Sequence, residues 1–513
     1  MDMQTAQAPL VTDHRRRLIL FLFLMLAMFM ATLDNQIVST ALPTIVGEFG
    51  HLERFGWIGS AYLLSLSAVM PVYGKLGDLF GRKYVMMASI AIFTVGSAVC
   101  GLAVSMNTLI AARVLQGLGG GGILVSIFSV NADLFEPRER ARYQSYSSLV
   151  MMASGAIGPV LGGTMSDLFG WRSIFLVNIP IGIVVLSGLA LMLPYRKPHR
   201  RPKIDYAGAI LLAMTTTSVV LAADSTELFG SLLSVRSLAI IGFGILCAIA
   251  WVFVERRAPE PIVPLPLFRN STFTLLLIMS VMSGGIAIGM VNYFALFLQT
   301  TTELSPSMAG LLFILLTGGL VCGSLSAGRI ISVTGRYKPF AIASLTCSAI
   351  AFALLSQVHA GTPVIFIGAL MLLHGIGIGL AQQVPVIGVQ NAAASRDVGA
   401  ATGSVTLSRM AGASIAISIY GAIIATNLAS IGTSIPGVSN IEQVTPKMLA
   451  ALPEATRQAV ADGYAAAFSP LFMTSCGIAL IGLIAALMLK PVQLPRASEV
   501  RKADNAAAAQ AAE

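Results

Sequence analysis

Residues 74–83 read Gly-Lys-Leu-Gly-Asp-Leu-Phe-Gly-Arg-Lys and lie between two long apolar runs. A second stretch, residues 328–337, reads Gly-Arg-Ile-Ile-Ser-Val-Thr-Gly-Arg-Tyr and lies 254 positions further along the chain. Both stretches begin with glycine and a basic residue, and both have a Gly-Arg pair seven positions after the first glycine. The second copy has Ser332 where the first has Asp78. This weak repeat predicts a chain built from two related halves.

The rest of the chain is strongly apolar. Of its 513 residues, 56% are hydrophobic and only 11% are charged, and the mean hydropathy is +0.82. In soluble proteins roughly a quarter of all residues are charged. This chain therefore has too few charges to cover the surface of a globular protein of its size with solvated groups. The composition therefore indicates a membrane protein whose natural solvent is lipid.

Apolar runs long enough to cross a bilayer recur along the whole chain. A bilayer core requires about 20 mostly apolar residues per helix. We predict fourteen spans, at residues 17–41, 57–74, 84–105, 108–130, 143–167, 172–193, 206–223, 236–254, 272–299, 308–331, 338–357, 363–390, 399–426 and 465–489. The repeat then places the seventh and eighth spans as an insertion between two six-helix bundles, in an all-α membrane protein.

The basic residues test this count. With the N-terminus in the cytoplasm, the cytoplasmic segments hold 25 of the 32 lysines and arginines and the external segments hold 5. Arg113 and Arg409 lie inside spans. Cytoplasmic loops of membrane proteins carry an excess of basic residues, so this split predicts an even number of spans with both termini in the cytoplasm. It also explains the net charge of +9 without a nucleic-acid partner.

The predicted spans divide the chain into five parts. They are a cytoplasmic N-terminus at 1–16, an N-terminal bundle at 17–193, a linker with the inserted helices at 194–271, a C-terminal bundle at 272–489 with an external loop at 427–464, and a cytoplasmic tail at 490–513. The five cysteines lie in apolar runs without a CxxC pair, so neither a disulfide nor a metal site is predicted.

Five motifs in order along the chain resemble those of the major facilitator superfamily, and most closely its fourteen-span drug:proton antiporter branch. They lie at residues 33–43, 74–83, 109–120, 158–163 and 171–180. The antiporter motif of this branch usually has glycine where this chain has Ser145 and Ser154. The resemblance implies a transporter that works by alternating access and is driven by a proton gradient, with no bound cofactor.

Asp34 and Arg113 are the predicted proton-coupling residues. Asp34 is the only carboxylate well inside an apolar span, and an ionisable residue in the membrane is by default a functional candidate. It lies 17 residues from Arg17, or roughly 26 Å along a helix, so we expect it toward the external side at a depth comparable to that of Arg113. The predicted substrate-binding residues are Asp34, Met30, Gln116, Asn292, Tyr293, Gln299 and Gln382. The parts played by His374 and Arg409 stay open.

Two further groups are predicted to serve the conformational change. The first, which resembles the conformational latch of the superfamily, consists of Gly74, Gly77, Asp78, Gly81, Arg82 and Asp133. We expect Asp78 to face a helix N-terminus of the other half, where the helix dipole favours an anion. The second is a hinge of small residues and proline in the fifth span, at Gly155, Gly158, Pro159, Gly162 and Gly163.

These observations predict a proton-coupled exporter of amphipathic cations in the plasma or inner membrane of a bacterial-type cell. We expect a small-molecule substrate, protons and the lipid bilayer as its partners, and a monomeric state. Two alternatives use the same sequence features: a carrier of one specific metabolite, for export or uptake, and a membrane sensor or scaffold that does not transport. The chain has no nucleotide-binding P-loop and no catalytic constellation, so neither an ATP-driven pump nor an enzyme is predicted.

Overall fold

The structure is a computed structural model of the chain. It describes residues 10–49, 55–196, 205–223, 225, 234–302, 306–432 and 454–495. Within these ranges the secondary structure is helical, apart from an isolated antiparallel bridge between Arg336 and Gln493. The predicted all-α class is therefore confirmed. Parts of the predicted N-terminus, external loop and tail, at 1–9, 433–453 and 496–513, lie outside the described residues.

Eighteen α-helices are found in the described part of the chain. They are α1 (His14–Phe49), α2 (Phe55–Phe80), α3 (Arg82–Gly101), α4 (Met106–Leu134), α5 (Pro137–Ser145), α6 (Ser147–Phe169), α7 (Ser173–Leu176), α8 (Asn178–Met192), α9 (Tyr206–Ala223), α10 (Val235–Glu255), α11 (Ser271–Ala287), α12 (Val291–Thr301), α13 (Pro306–Thr334), α14 (Lys338–Leu355), α15 (Val364–Ala381), α16 (Val384–Ala392), α17 (Val398–Gly432) and α18 (Glu454–Met488).

Helices overlap all fourteen predicted spans, but fewer of them meet the length and hydropathy of a full membrane crossing. Among the described residues, ten helical stretches do so, or eleven if the bent pair Pro137–Gly155 and Val160–Phe169 is one span. Two more apolar helices, Tyr206–Ala222 and Ser271–Ala287, are shorter. The chain is thus a multi-pass helical protein, and the exact count of fourteen stays a prediction.

The two sequence repeats have the same local structure. Gly81 separates α2 from α3 with a φ of 93°, and Gly335 follows α13 with a φ of 72°. Only glycine adopts such angles at little cost, which explains why the second glycine recurs in both copies. Each repeat therefore ends a long helix with a tight turn, so that the next helix can run back through the membrane.

The helices pack into two groups that follow the order of the chain. In the N-terminal half, α4 packs against α2 and α3, and α1 packs against α6 and α8. In the C-terminal half, α15 packs against α13 and α14, and α11 packs against α17 and α18. The halves meet along two seams, one between α2 and α17 and the other between α5 and α13. The domain boundaries at 193/194 and 271/272 stay predictions.

The inserted helices lie over one of these seams. α9 packs against α10 and also contacts α2 from one half and α17 from the other. The linker that follows α10 continues this contact, because Ile262 and Val263 pack with Leu212 of α9 in a small apolar cluster. The inserted pair is therefore attached to both halves beside the α2–α17 seam.

The predicted external loop is shorter than expected. α17 continues to Gly432, and α18 begins at Glu454 rather than near residue 465. Residues 454–467 are rich in alanine and other good helix formers, which extend a helix beyond the apolar core at little cost. Apolar length alone therefore underestimated both helices.

Candidate functional site

The carboxylate of Asp34 lies inside the N-terminal half, where four helices meet. The residue is 1% exposed. Its Oδ2 accepts a hydrogen bond from Arg113 Nη1 of α4, in an ion pair that is fully buried. Its Oδ1 accepts from Gln116 Nε2 at 2.7 Å and from Asn178 Nδ2 of α8 at 2.9 Å. The structure thus brings Asp34 and Arg113 together, as the sequence predicted, and adds two amide donors to Oδ1.

Arg113 is held from several directions. Its Nε donates to the carbonyl oxygen of Ile58 at 3.1 Å, and its Nη1 also donates to Gln116 Oε1 at 2.6 Å. The guanidinium carbon lies 4.3 Å from the centre of the Tyr62 ring, a cation–π distance. Burying a guanidinium group away from water has a large free-energy cost unless the group is paired with an opposite charge. The Asp34 carboxylate supplies that opposite charge and so stabilises Arg113 in the buried position.

The hydrogen bonds identify the ionised form of Asp34 as the one that this arrangement fits. An ionised carboxylate only accepts hydrogen bonds, whereas a protonated one also has an O–H donor. Both oxygens of Asp34 face N–H donors. Ser97 of α3 completes the cluster, because its Oγ accepts from Gln116 and from Asn178 at 3.0 Å.

Sequence reasoning missed three members of this cluster: Ser97, Asn178 and Tyr62. Asn178 lies in the motif at 171–180, but nothing in that motif marks it as facing Asp34. A buried asparagine in an otherwise apolar helix was the available signal, since buried amides require partners. Serine and tyrosine are common in the other spans, so they gave no such signal.

The structure separates the predicted substrate-binding residues. Met30, Asp34 and Gln116 are enclosed within the N-terminal half, so none of them is open to cargo in this conformation. The side chains of Asn292 and Gln299 lie outside the described residues. Tyr293 donates its hydroxyl hydrogen to the carbonyl oxygen of Ile417 at 2.9 Å. These assignments stay predictions.

Gln382 lies where the two halves face each other. Its Oε1 accepts from Ser148 Oγ at 3.1 Å, and its Nε2 donates to Met151 Sδ at 3.3 Å. On the side of the C-terminal half, Arg409 Nη2 donates to the carbonyl oxygen of Gln382 at 2.5 Å. Within the described residues Arg409 makes no ion pair. A partly buried guanidinium therefore lies beside the interface between the halves.

His374 lies in the interior of the C-terminal half. Its two ring nitrogens are 3.2 Å from Ser348 Oγ and from the carbonyl oxygen of Ile286. The rings of Phe352 and Phe294 pack on it at 4.5 and 5.9 Å. This satisfied and aromatic environment favours a packing role. Among the described residues, no three His, Cys, Asp or Glu side chains are grouped as a metal site would require.

The predicted latch residues meet the other half at the end of the helices that the sequence predicts to be cytoplasmic. Asp78 Oδ1 accepts from the backbone N–H of Gly399, and its Oδ2 from that of Ala400, both at 3.1 Å. Both N–H groups lie in the first turn of α17, where an anion is favoured by the helix dipole. Arg82 binds Asp78 at 3.2 Å and Asp133 at 2.6 Å. Burial raises the pKa of Asp78 to about 6, against the lowering effect of Arg82.

The glycines of the latch permit this contact. A Cβ at Gly74 would overlap with the carbonyl group of Gly399, and its repeat partner Gly328 lies as closely against Ser145 of the other half. The first glycine of each repeat thus marks one seam. Gly77 is less constrained, since a Cβ there would lie 3.6 Å from the Arg82 side chain.

Further hydrogen bonds join the halves at the same end as the Asp78 contacts. Gln390 Oε1 accepts from Arg140 and Gln144 of α5, both at 3.3 Å. Ser148 donates to Ser324 at 2.7 Å. The structure therefore represents a conformation in which the two halves are closed at the end that the sequence predicts to be cytoplasmic.

The predicted hinge lies where the chain bends. The direction changes by 42° between Pro137–Gly155 and Val160–Phe169. Gly158 is buried against Gln36 of α1, whereas a Cβ at Gly155 or Gly163 would meet no atom within 4 Å. Gly162 is buried as well, and the side chain of Pro159 lies outside the described residues. Only Gly158 and Gly162 are therefore packed closely, and the role of this group as a hinge stays a prediction.

Ser154 takes part in the packing of α6 against α1. Its hydroxyl lies 2.7 Å from that of Thr32. The serine that replaces glycine here therefore adds a hydrogen bond between two helices instead of separating them.

Comparisons with known proteins agree with this architecture. A model of the Major Facilitator Superfamily matches residues 24–417. The chain is 34% identical over 500 residues to an uncharacterized MFS-type transporter of Mycobacterium tuberculosis strain H37Rv, with 95% of this chain and 72% of that protein covered. It is 32% identical over 403 residues to Multidrug resistance protein 3 of Bacillus subtilis strain 168, with 78% of each covered.

Solved structures show the same fold at low identity. The proton:xylose symporter XylE, bound to 6-bromo-6-deoxy-D-glucose, has a TM-score of 0.61 at 13% identity, with 95% of this chain and 99% of that chain covered. The human organic anion transporter MFSD10 has a TM-score of 0.58 at 15% identity, with 91% and 100% covered. The chain therefore belongs to the major facilitator superfamily, a family of multi-pass membrane transporters and not of enzymes.

Proposed function

We propose that this protein exports amphipathic compounds in exchange for protons by alternating access. The observation that carries the proposal is the ion pair between Asp34 and Arg113, enclosed in the N-terminal half and fully removed from solvent. A carboxylate in this position can take up a proton from one side of the membrane and release it on the other, and its charge changes when it does so.

The energetic reason is the cost of leaving one partner alone. Removing one member of a buried ion pair destabilises a protein by about 3–5 kcal/mol, because a buried charge remains uncompensated. Protonation of Asp34 has the same effect on Arg113. The protonated protein must therefore rearrange around Arg113, and this rearrangement is the step that couples proton uptake to the movement of the two halves.

The direction of transport is proposed from the relatives and from the conformation. One relative is named Multidrug resistance protein 3 and another, from Dothistroma septosporum, is named an efflux pump. In a conformation closed to the cytoplasm, a proton from outside reaches Asp34 after the cargo has left. Return to the cytoplasm-open conformation then releases the proton inside. A carrier of a single metabolite remains the alternative, with the same coupling residues.

For the charge of the cargo we propose a cationic amphiphile first. A cation and a proton would compete for the same carboxylate once the Asp34–Arg113 pair opens in the cytoplasm-open form. Arg409 favours a second class, amphiphiles that carry an acidic group. Its guanidinium lies beside Gln382 at the interface between the halves and has no acidic partner among the described residues.

Efflux from lipid vesicles with an imposed pH gradient tests the proposal. The purified protein is compared with Asp34→Asn, and Asp167→Asn serves as the matched control because Asp167 is exposed. We expect gradient-driven efflux of a cationic dye by the parent and by the control, and none by Asp34→Asn. Efflux that survives both Asp34→Asn and collapse of the gradient would refute proton coupling. Transport of an acidic dye that is lost in Arg409→Met would identify the second cargo class.

A further inference from the structure

Two polar atoms beside the Asp34–Arg113 pair have no hydrogen-bond partner among the described residues. One is Nη2 of Arg113, and the other is Oδ1 of Asn178. Asn178 is 1% exposed, so its amide oxygen is shielded from water as well. Buried amide oxygens without a partner are rare and costly. An orphaned acceptor this close to a titratable carboxylate requires an explanation.

The two amides that bind Asp34 differ in their freedom to turn. Gln116 Oε1 accepts from Arg113 at 2.6 Å, so turning the Gln116 amide by 180° would place its NH2 group against the guanidinium. Asn178 Oδ1 accepts no hydrogen bond, so turning the Asn178 amide breaks nothing on the oxygen side. Both Nδ2 bonds of Asn178, to Asp34 and to Ser97, are made by one end of the amide. Asn178 is therefore the amide that can reverse.

The charge of Asp34 decides which orientation of Asn178 is stable. The ionised carboxylate accepts hydrogen bonds only, and it attracts the NH2 end of the amide. The protonated carboxyl group has an O–H that must donate, and it would face the NH2 groups of both amides. Reversal of the Asn178 amide brings Oδ1 to the place of Nδ2, where it accepts the new O–H. Ser97 can follow, because a hydroxyl both donates and accepts.

We propose that Asn178 responds to the protonation state of Asp34 by reversing its side-chain amide. Its NH2 end binds the ionised carboxylate, and its carbonyl end binds the protonated one. This inference rests on the proposed function and names how the site distinguishes its two proton states in a buried position. Asn178 is the first residue of α8, which packs against both α1 and α3, so the reversal takes place at a contact of three helices.

A matched pair of substitutions separates this role from packing. Asn178→Thr keeps a group that can donate to the ionised form and accept from the protonated form. Asn178→Val has the same shape without the hydroxyl. Asn131→Val is the control, since Asn131 is also buried in this half and neither polar atom of its side chain has a partner among the described residues.

We expect Asn178→Thr and Asn131→Val to retain gradient-driven efflux close to that of the parent. Asn178→Val should reduce it about tenfold to a hundredfold, the factor that corresponds to one hydrogen bond to a charged group. Cargo exchange without a gradient should be reduced less than driven efflux in Asn178→Val, because exchange does not require Asp34 to change its protonation state. This difference between driven and undriven transport is one that a purely structural role does not produce.

Infrared difference spectra between acid and neutral pH provide the direct measurement. The carbonyl band of protonated Asp34, identified by its loss in Asp34→Asn, should lie at higher wavenumber in Asn178→Val, where the O–H has lost its acceptor, than in the parent or in Asn178→Thr. Equal driven efflux and equal band positions in the threonine and valine variants would overturn the inference. Driven efflux by the parent that is insensitive to Asp34→Asn would instead overturn the proposed function.

Discussion

A methyl group placed at Gly74 should open the side of the protein that is predicted to face the cytoplasm. Gly74 of α2 lies against Gly399 at the start of α17, where a Cβ would lie 2.7 Å from the carbonyl carbon of Gly399 and closer still to its oxygen. Backbone atoms of two helices cannot move apart locally, because each is fixed by its own helical hydrogen bonds. The Gly74→Ala substitution therefore acts on the distance between the halves.

The size of the effect follows from the cost of overpacking. Inserting a methyl group into a packed interface costs typically about 1–3 kcal/mol, and here only the closed conformation bears that cost. Each 1.4 kcal/mol is a factor of about ten, so the ratio of closed to open protein should fall by about fivefold to about 150-fold. The helix propensity gained by alanine, about 1 kcal/mol, is common to both conformations and cancels.

Spin labels at Tyr84 and Val333 report the opening. Both side chains are exposed, at 55% and 70%, and they lie near the predicted cytoplasmic ends of helices in opposite halves. We expect Gly74→Ala to shift the label–label distance distribution toward longer distances. Gly318→Ala is the control, because a Cβ at Gly318 meets no atom within 4 Å. Identical distributions for the two variants would show that the Gly74–Gly399 contact does not limit closure.

Three further predictions concern single groups. Burial in the closed form raises the pKa of Asp78 from 3.8 to about 6. The closed form therefore binds a proton at Asp78 more tightly than an open form in which this carboxyl is exposed. The closed population should accordingly grow as the pH falls from about 6 to about 4. Asp78→Asn should remove this dependence in the spin-label experiment. Hydrogen bonds from Arg172 and Trp171 lower the pKa of Glu48. Because the Trp171 indole donates to this carboxylate, its fluorescence in a protein without the other tryptophans should stay constant from pH 7 to 4.5 and change only at lower pH. A change at pH 6 would contradict this. His374→Leu leaves the Ser348 hydroxyl and the Ile286 carbonyl oxygen without their partner, at a cost of about 1–3 kcal/mol each. The midpoint of thermal unfolding should therefore fall, while the pH profile of efflux should not change. An altered pH profile would assign His374 to proton coupling.

Much of the architecture was predictable because lipid imposes simple rules. Apolar length places the helices, whereas the even number of crossings that the 25-to-5 distribution of basic residues indicates stays a prediction. The ends of the helices were less predictable. The early start of α18 at Glu454 and the break between α11 and α12 depend on local helix propensity and on packing, which hydropathy does not report.

The candidate site was predictable in its charges and not in its amides. Asp34 and Arg113 stand out because ionised residues are rare in apolar spans. Asn178 and Ser97 lie in other helices, and only the packing of α8 against α1 and α3 brings them into the cluster around the carboxylate. The same packing encloses Asp34 in the bundle in this conformation, and its contact with cargo stays a prediction.

The position of the inserted helices has a consequence for the surrounding membrane. α9 covers the α2–α17 seam, and the adjoining linker is tied to α2 by an ion pair of 3.0 Å between Glu260 and Lys75. In a relative without α9 and α10, lipid would line that seam and would have to move aside in every transport cycle. In this protein the seam is covered by α9, which is part of the chain. The length of α9 is fixed, whereas the thickness of a lipid layer varies with the length of its acyl chains. Bilayer thickness should therefore act on turnover mainly through the α5–α13 seam, so that the two flanks of this transporter respond unequally to the same change in lipid.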